Sequence, residues 1–203
     1  MHAPSPASPS PLTALARRLR ARPPSLGPVR LVAVDGHAGS GKTTFTARLA
    51  EALGGGTPVL HLDDLATHDE LFAWTDRLRA GILTPLSQGR TARYRAYDWT
   101  ARRFTGPERE LPAAPVVLLE GVGAGRRALR PHLACLLWMD LGRSDSWGRG
   151  QLRDGEEQAE FWAGWMRAER AHFAADPTRP YAELLVRQSS LGYEVLPGPH
   201  GTD

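Results

Sequence analysis

One stretch of the sequence combines glycines, a lysine and hydroxyl side chains at a spacing that suits phosphate binding. Residues 36–43 read GHAGSGKT and fit the pattern G-x-x-x-x-G-K-[ST]. Glycines let backbone N–H groups curl around a polyphosphate, and the N-terminus of a following helix adds partial positive charge. The pattern predicts a nucleotide-binding loop made of Gly36, His37, Ala38, Gly39, Ser40, Gly41, Lys42, Thr43 and Thr44.

The roles within this loop follow from the side-chain types. Lys42 is the single lysine among 25 basic residues, the others being arginine. A compact ammonium reaches the β- and γ-phosphates inside a ring of amides, where a planar guanidinium fits less well. The Thr43 hydroxyl is a ligand for Mg²⁺. We therefore expect Lys42 to be catalytic and Thr43 to bind the metal.

Carboxylates follow two apolar runs of the kind that form strands. Asp63 and Asp64 come after PVLHL, and Glu120 ends PVVLLE. In open parallel sheets, ligands bind beyond the carboxyl ends of the strands. Glu120 is placed to hold Mg²⁺, and Asp63 or Asp64 to orient or deprotonate an acceptor hydroxyl, with Asp63 a further metal candidate. Asp140 also ends an apolar run, and its role stays open between chemistry and structure.

A glycine- and arginine-rich segment follows the fourth apolar run. Residues 143–154 read RSDSWGRGQLRD, and Arg149 and Arg153 share a face if the segment is helical. Cationic side chains on a lid neutralise a transferring phosphoryl group and exclude water. The segment predicts such a lid, and a solvated charged face is the alternative.

The elements that position these residues alternate along the chain. Short apolar runs occur at 30–35, 58–62, 115–120, 135–140 and 183–187. Helical patterns lie between them, at 42–53, 69–80, 144–153 and 156–174. Continuous apolar runs are typical of strands buried on both faces of a parallel sheet. We expect an α/β fold of the P-loop NTPase class, with a doubly wound, mainly parallel, five-stranded sheet flanked by helices and an arginine-containing lid.

Residues 84–112 lack a clean period and predict an insertion near a functional edge. Within it, residues 93–104 interleave arginines with aromatic side chains. Such a surface stacks on a planar base or binds RNA, and its place inside an α/β domain favours a small acceptor over nucleic acid.

Farther on, a stripe of tryptophans at helical spacing predicts residues of the hydrophobic core. His172 is expected to be a packed or surface histidine.

The amino-acid composition excludes several classes of protein. The chain has 203 residues, 41% of them hydrophobic, and no run of the ~20 apolar residues that span a bilayer. The single cysteine, Cys135, favours a reducing cytoplasmic location. The positive charge of residues 1–30 comes from arginines. The rest of the chain has 20 basic and 22 acidic residues, and this near balance argues against nucleic-acid binding. We expect a flexible Pro/Ser/Arg-rich arm over 1–28, one domain over 29–187 and a frayed tail over 188–203. Within the arm, Leu12, Leu15, Ala16 and Leu19 recur at helical spacing, which favours a terminal helix packed loosely on the domain, with an organelle transit peptide as the alternative.

The ordered motifs resemble the uridine kinase and phosphoribulokinase group of P-loop kinases. They are VAVDGHAGSGKTT, HLDD, RYRAYDW, VVLLEGVGAG and a lid ending in LRDG, and the resemblance covers residues 29–187. It is closer to the compact uridine-kinase-like proteins of high-GC bacteria. It implies that Lys42 and Thr43 serve ATP and Mg²⁺, that Asp63 is the acceptor base and Glu120 assists the metal. It further implies that Tyr97 and Asp98 face the acceptor and that Arg149 and Arg153 belong to the lid. At Arg102 the chain departs from the family's histidine, and an arginine there favours an anionic acceptor.

These observations favour an ATP- and Mg²⁺-dependent kinase acting on a hydroxyl of a nucleoside-like small molecule. Its candidate substrate residues are Asp64, Tyr97, Asp98 and Arg102. A nucleotide-hydrolysing ATPase or switch acting on a protein partner is the alternative, although no water-positioning Gln follows Glu120 and no N-K-x-D motif occurs. A binding module without catalysis is a third interpretation. The sequence does not identify the acceptor.

Overall fold

The computed structural model describes residues 10–190 and 192–201. Its main sheet has six strands, which are β1 (Arg30–Asp35), β2 (Val59–His61), β7 (Val116–Glu120), β8 (Leu133–Met139), β9 (Leu184–Ser189) and β10 (Gly192–Pro197). Their spatial order is β10-β9-β8-β1-β7-β2. All except β10 are parallel to one another, and β10 pairs antiparallel with β9. The expected five-stranded sheet therefore gains one antiparallel edge strand.

The central strand shows why apolar runs fold this way. Along β1, successive side chains point to opposite faces, so Leu31 and Ala33 enter one core while Val32 and Val34 enter the other. All four are buried. A strand covered on both faces must be apolar throughout, as RLVAVD is up to its terminal aspartate. The phosphate-loop sequence then begins where β1 ends, between neighbours β7 and β8.

The long helices lie close to the predicted positions. They are α1 (Pro11–Arg20), α2 (Lys42–Ala52), α5 (Arg143–Asp154) and α6 (Ala159–Ala175). The helix predicted over 69–80 begins only at Thr75 and continues as α3 (Thr75–Leu78), a π-helical turn (Arg79–Leu83) and α4 (Thr84–Ser87). None of the helices in the described ranges is long and apolar enough to cross a membrane.

The insertion forms two small antiparallel sheets outside the main one. In the first, β3 (Ala92–Tyr94) pairs with β6 (Arg109–Leu111). In the second, β4 (Tyr97–Asp98) pairs with β5 (Arg103–Phe104). The second pair is nested within the first, so the segment folds back on itself and presents the loop between β4 and β5. Pairings this short leave little periodic signal in the sequence.

The N-terminal arm contains the packed helix that its spacing favours, and the C-terminal end differs from the expected frayed tail. Helix α1 buries Leu15, Ala16 and Leu19 in the core that also holds Phe45 and Leu49 of α2. Its apolar residues recur every three or four positions, which gives the helix one face to bury. At the other end, β10 adds to the sheet and its Tyr193 ring packs edge-on against Phe45 at 5.0 Å. The Pro/Ser-rich start expected to be unfolded lies mostly outside the described residues.

His172 lies in α6 as a packed histidine. Its ring stacks on Phe72 with centroids 4.6 Å apart and planes 3° from parallel. Its Nε2 atom is buried and has no hydrogen-bond partner among the described residues. Burial, and then the nearby Arg126 charge, lowers the pKa of His172 to about 4. The folded state therefore holds this ring neutral.

We expect this histidine to make the fold acid-sensitive. Between pH 6.5 and 4 the unfolded chain protonates His172 while the folded chain does not, so stability falls as the pH drops through that window. The ring is partly exposed, so we expect a contribution of about 1 kcal/mol, roughly 2–4 °C in melting temperature. Thermal melts should show a smaller acid-induced drop in His172→Phe than in the wild type. The same change at exposed His200 should leave the acid-induced drop in melting temperature as it is in the wild type. An unchanged drop in His172→Phe would contradict the role given to His172.

Candidate active site

The phosphate loop connects β1 to α2 and lies against the predicted lid helix. Gly39 has φ +82°, a left-handed conformation that glycine adopts without strain. A Cβ atom at Gly39 would lie 2.0 Å from the carbonyl oxygen of Ser146 in α5. Gly150 of α5 is equally confined, because a Cβ there would lie 2.3 Å from the Trp162 ring of α6. Glycines thus allow the loop, α5 and α6 to approach closely.

Lys42 opens α2 and is held inside this loop. Its ammonium donates to the carbonyl oxygens of Gly36 and His37, at 3.1 and 3.0 Å. The side chain is only 7% exposed, and it lines a cavity of about 1030 Å³. No carboxylate forms an ion pair with Lys42 in the described part of the chain. Its positive charge is therefore available to an anion that enters the cavity.

A hydroxyl and a carboxylate meet beside the lysine. Thr43 Oγ1 donates to Glu120 Oε1 at 3.3 Å, and the same oxygen lies 2.5 Å from His61 Nδ1. The hydrogen bond to Glu120 raises the pKa of His61. Both Thr43 and Glu120 line the cavity.

These two oxygen ligands fit Mg²⁺. This ion commonly binds one or two protein oxygens and completes its shell with water and phosphate oxygens. The donor set at Thr43 and Glu120 is therefore suited to a magnesium ion that arrives with a nucleotide.

The adjacent aspartates differ in their surroundings. Asp63 lines the cavity, and its pKa is raised by burial and by the negative charge of Glu120, with Lys42 acting in the opposite direction. Asp64 does not line the cavity. Its carboxylate accepts hydrogen bonds from Arg109 Nη1, at 2.9 and 2.8 Å, and from the Tyr94 hydroxyl at 3.1 Å. Asp63 faces a ligand space, whereas Asp64 ties the insertion to the domain.

The predicted lid arginines come together at the cavity wall. Arg149 and Arg153 of α5 both line it. Arg149 Nη2 donates to Gln188 Oε1 at 3.3 Å, and Arg153 forms two hydrogen bonds with Asp154, at 2.6 and 2.9 Å. The helical spacing inferred from the sequence therefore places both guanidinium groups beside the phosphate loop.

The remaining residues predicted to bind a substrate lie around the cavity, and only some of them line it. The Tyr97 hydroxyl hydrogen-bonds His68 Nδ1 at 3.0 Å, and the ring is buried. Asp98 Oδ1 accepts the backbone N–H groups of Thr100 and Ala101, at 3.0 and 2.8 Å. Neither residue lines the cavity, whereas Arg102 does. Arg102 therefore lies where a ligand in the cavity could reach it, whereas Asp98 shapes its own loop.

Aromatic rings form part of the cavity wall. They belong to His68, Trp99, Phe161, Trp162 and Trp165. Trp162 and Trp165 are 3% and 8% exposed, so the predicted core role of the tryptophan stripe is also observed. The same helix face therefore serves packing and the cavity wall.

A second cavity of about 500 Å³ adjoins the first on the other side of Arg149. Ser40, Leu141 and Gln188 line it, together with Asp140. The Asp140 carboxylate is bound by Arg179 and Arg187, at 3.0 and 2.9 Å. Burial alone would raise the pKa of Asp140, but these arginines hold it below its ordinary value. Its paired carboxylate indicates a structural role.

Two buried carboxylates that sequence analysis did not assign organise the loop. Asp35 ends β1 and accepts the backbone N–H groups of Gly36, Gly123 and Gly125, at 2.7, 2.9 and 2.9 Å. These bonds tie the phosphate loop to the loop that follows β7. Its position directly before the first loop glycine is the signal that would have pointed to this role.

Glu169 of α6 is the second. This fully buried carboxylate accepts hydrogen bonds from His37 Nδ1 at 2.6 Å, Ala38 N at 3.2 Å, Trp147 Nε1 at 3.1 Å and Trp165 Nε1 at 2.8 Å. Burial alone would raise the pKa of Glu169, but these hydrogen bonds hold it below its ordinary value. One side chain therefore connects the phosphate loop, α5 and α6.

We expect Glu169→Gln to destabilise the fold. The amide keeps one acceptor oxygen, and its NH₂ group then faces two of the four donors. Leaving buried donors without an acceptor costs about 1–3 kcal/mol each, so we expect the free energy of unfolding to fall by about 2–4 kcal/mol. Denaturant titration followed by far-UV circular dichroism measures this. Glu160→Gln, at an exposed position of the same helix, should change it by less than ~0.5 kcal/mol; equal effects of the two substitutions would argue against the role of Glu169.

Comparison with known proteins bears on the fold. No protein-family model matches the chain. Among solved structures, a protein described as a "possible uridine kinase" from Bacillus stearothermophilus superposes with a TM-score of 0.61 at 16% identity, covering 86% of this chain and 96% of that one. A protein provisionally described as a fructose transport system kinase, from Silicibacter sp. TM1040, gives a TM-score of 0.51 at 21% identity, covering 70% and 80%. The predicted α/β P-loop fold, similar to that of uridine kinase-like proteins, is confirmed.

Proposed function

We propose that this chain is a uridine kinase-like phosphotransferase that moves the γ-phosphoryl group of ATP to a hydroxyl of a nucleoside-like small molecule. The observation that carries the proposal is the convergence of four groups on one cavity. Lys42, Asp63, Arg149 and Arg153 all line it, although they come from three separate parts of the chain. Phosphoryl transfer depends mainly on positioning and on neutralising charge, and these groups supply both.

The donor binds through the phosphate loop. The loop amides and the Lys42 ammonium hold the β- and γ-phosphates, exchanging the carbonyl contacts of the lysine for phosphate oxygens. Thr43 and Glu120 would hold Mg²⁺, which when bound neutralises phosphate charge. The second cavity, next to Ser40 and Gln188, is the place that the loop leaves for the nucleoside part of the donor. Residues 29–187 then form the kinase domain, with α1 and β10 packed onto it.

The acceptor hydroxyl lies between Asp63 and the phosphate. Asp63 accepts the proton of this hydroxyl as its oxygen bonds to the γ-phosphorus and the bond to the leaving ADP oxygen breaks. The pKa of Asp63 is raised above the ordinary value for an aspartate, which favours proton acceptance by this carboxylate. Arg149 and Arg153 offset the negative charge that spreads over the transferring group. The aromatic part of the cavity wall gives the rest of the acceptor a place, which a simple ATPase does not need.

A transfer assay tests the proposal. Purified protein is incubated with Mg²⁺ and γ-labelled ATP and a panel of nucleosides, nucleoside monophosphates and sugars, and the products are resolved by chromatography. We expect label in at least one acceptor, with hydrolysis in the absence of acceptor remaining slow. Rapid hydrolysis that no acceptor alters would instead support the ATPase or switch alternative.

A further inference from the structure

The aromatic part of the cavity wall suits a flat ligand. Its side chains come from separate segments: His68 after β2, Trp99 after β4, and Phe161 and Trp165 from α6. These rings pack on one another at tilted or edge-on angles, with centroids 4.9 Å apart for His68 and Trp99, 5.9 Å for Trp99 and Phe161, and 6.1 Å for Phe161 and Trp165. An aromatic wall of this kind can bind a planar ring by stacking or edge-to-face contact.

One cation of the cavity differs from the others. Lys42, Arg149 and Arg153 each donate hydrogen bonds to protein groups. Arg102 also lines the cavity, yet across residues 10–190 and 192–201 it makes no hydrogen bond, ion pair or stacking contact. The residue is exposed, so its five N–H donors face water or a ligand in the cavity.

The loop that carries Arg102 is shaped by local contacts. Arg102 has φ +53°, and it is the one residue other than glycine with a positive φ in the described ranges. A non-glycine residue in this region costs about 1–3 kcal/mol and tends to occur at ligand sites. Asp98 accepts two backbone N–H groups of the loop, and Trp99 Nε1 donates to the Asp63 carbonyl oxygen at 3.1 Å. These bonds link the Arg102 loop to the segment that carries the proposed base.

Arg102 is the cavity cation without a protein partner among the described residues. Burial and then the Arg102 charge lower the pKa of His68, which favours the neutral ring. Asp154 is engaged by Arg153 and by Trp162 Nε1 at 3.1 Å. The other carboxylates of the lining are Asp63 and Glu120, whereas Thr100 and Gln158 are uncharged.

We infer that the acceptor is a heteroaromatic alcohol bearing an anionic group, a carboxylate or a phosphate, which Arg102 binds while the rings stack on its base. This inference rests on the proposed function and specifies its substrate class. The inference depends on one observation: the Arg102 guanidinium, which has no protein partner in the described residues, lines the same cavity as the aromatic rings. A charge-assisted hydrogen bond of this kind contributes about 1.5–3 kcal/mol, or roughly 10–150-fold in kcat/KM.

Matched acceptors test the inference. Orotidine differs from uridine only in a ring carboxylate, and uridine 3′-monophosphate adds a phosphate while keeping the 5′-hydroxyl. We expect the wild type to favour one of these anions over uridine by at least about 10-fold in kcat/KM, and the favoured member shows whether carboxylate or phosphate is bound. Arg102→Gln should bring that ratio to within about threefold of unity by raising KM for the anion, and Arg102→Lys should restore part of it. Arg103→Gln, at the exposed neighbour outside the cavity lining, should keep the full ratio.

Two results would overturn the inference while leaving the proposed function in place. One is Lys42-dependent transfer that favours uridine, or acceptors without a ring, over both anions. The other is an anion preference that Arg102→Gln leaves intact. If no acceptor of the broader panel receives phosphate in a Lys42-dependent reaction, the proposed function itself is wrong. Each failure is thus recognised by a different pattern of products.

Discussion

Replacing Lys42 with alanine should reduce phosphoryl transfer by at least about 10²–10³-fold in kcat, the loss typical of removing one preorganised charge at a transition state. Its ammonium is the cation that the phosphate loop encloses, donating to two loop carbonyl oxygens at 3.1 and 3.0 Å. Without it, the loop amides still present donors, but the charge that develops on the transferring group is left less neutralised. Steady-state kinetics with saturating acceptor measure the loss.

Two further variants separate charge from shape. Lys42→Arg keeps the positive charge but brings a planar guanidinium into a space that leaves the side chain only 7% exposed, so we expect it to recover little activity. Arg48→Ala removes a cation from an exposed position of the same helix, where it lies over the Tyr193 ring at 5.6 Å. Its activity should stay within about twofold of wild type. Turnover in Lys42→Ala within a few-fold of wild type would be incompatible with the proposed donor site.

The sequence was most informative where local pattern decides structure. The run RLVAVD is β1 residue for residue, and the glycine-rich loop and α2 follow where the motif predicts. A buried parallel strand and a phosphate loop have sequence requirements that neighbouring residues satisfy among themselves. For the same reason Lys42, Thr43, Asp63 and Glu120 could be identified and are found lining one cavity.

Features that depend on distant partners were not predictable in this way. The edge strand β10 exists because it pairs with β9, and its sequence GYEVLP has no strong apolar pattern. Glu169 looks like a charged position on a helix, yet two of its four donors come from residues 37 and 38, more than 130 positions earlier. For Asp98 the family resemblance implies a place facing the acceptor, whereas its carboxylate accepts two backbone N–H groups of its own loop and does not line the cavity.

The adjacent aspartates allow the sharpest test of the proposed mechanism. Asp63→Asn should lower kcat by about 10²–10⁴-fold, the range for loss of a general acid–base group, with a smaller effect on donor binding. The wild type should lose activity on acidification at a higher pH than an ordinary aspartate would give, because burial and the Glu120 charge raise the pKa of Asp63. The residual activity of Asp63→Asn should not show this loss on acidification. Pre-steady-state kinetics across pH check both statements.

Asp64→Asn is the matched control, since it makes the same chemical change one residue along the chain. Its carboxylate is engaged by Arg109 and Tyr94 and does not line the cavity. We therefore expect this variant to keep its kcat within about 10-fold of wild type and to lose stability instead, by about 1–3 kcal/mol for the half-buried tyrosine contact and the ion pair. If the kinetic effects of the two substitutions were exchanged, the base would be Asp64 and the insertion would have to move to expose it. If neither lowered kcat, proton removal by a carboxylate would not limit this reaction, and catalysis would rest on positioning and charge alone.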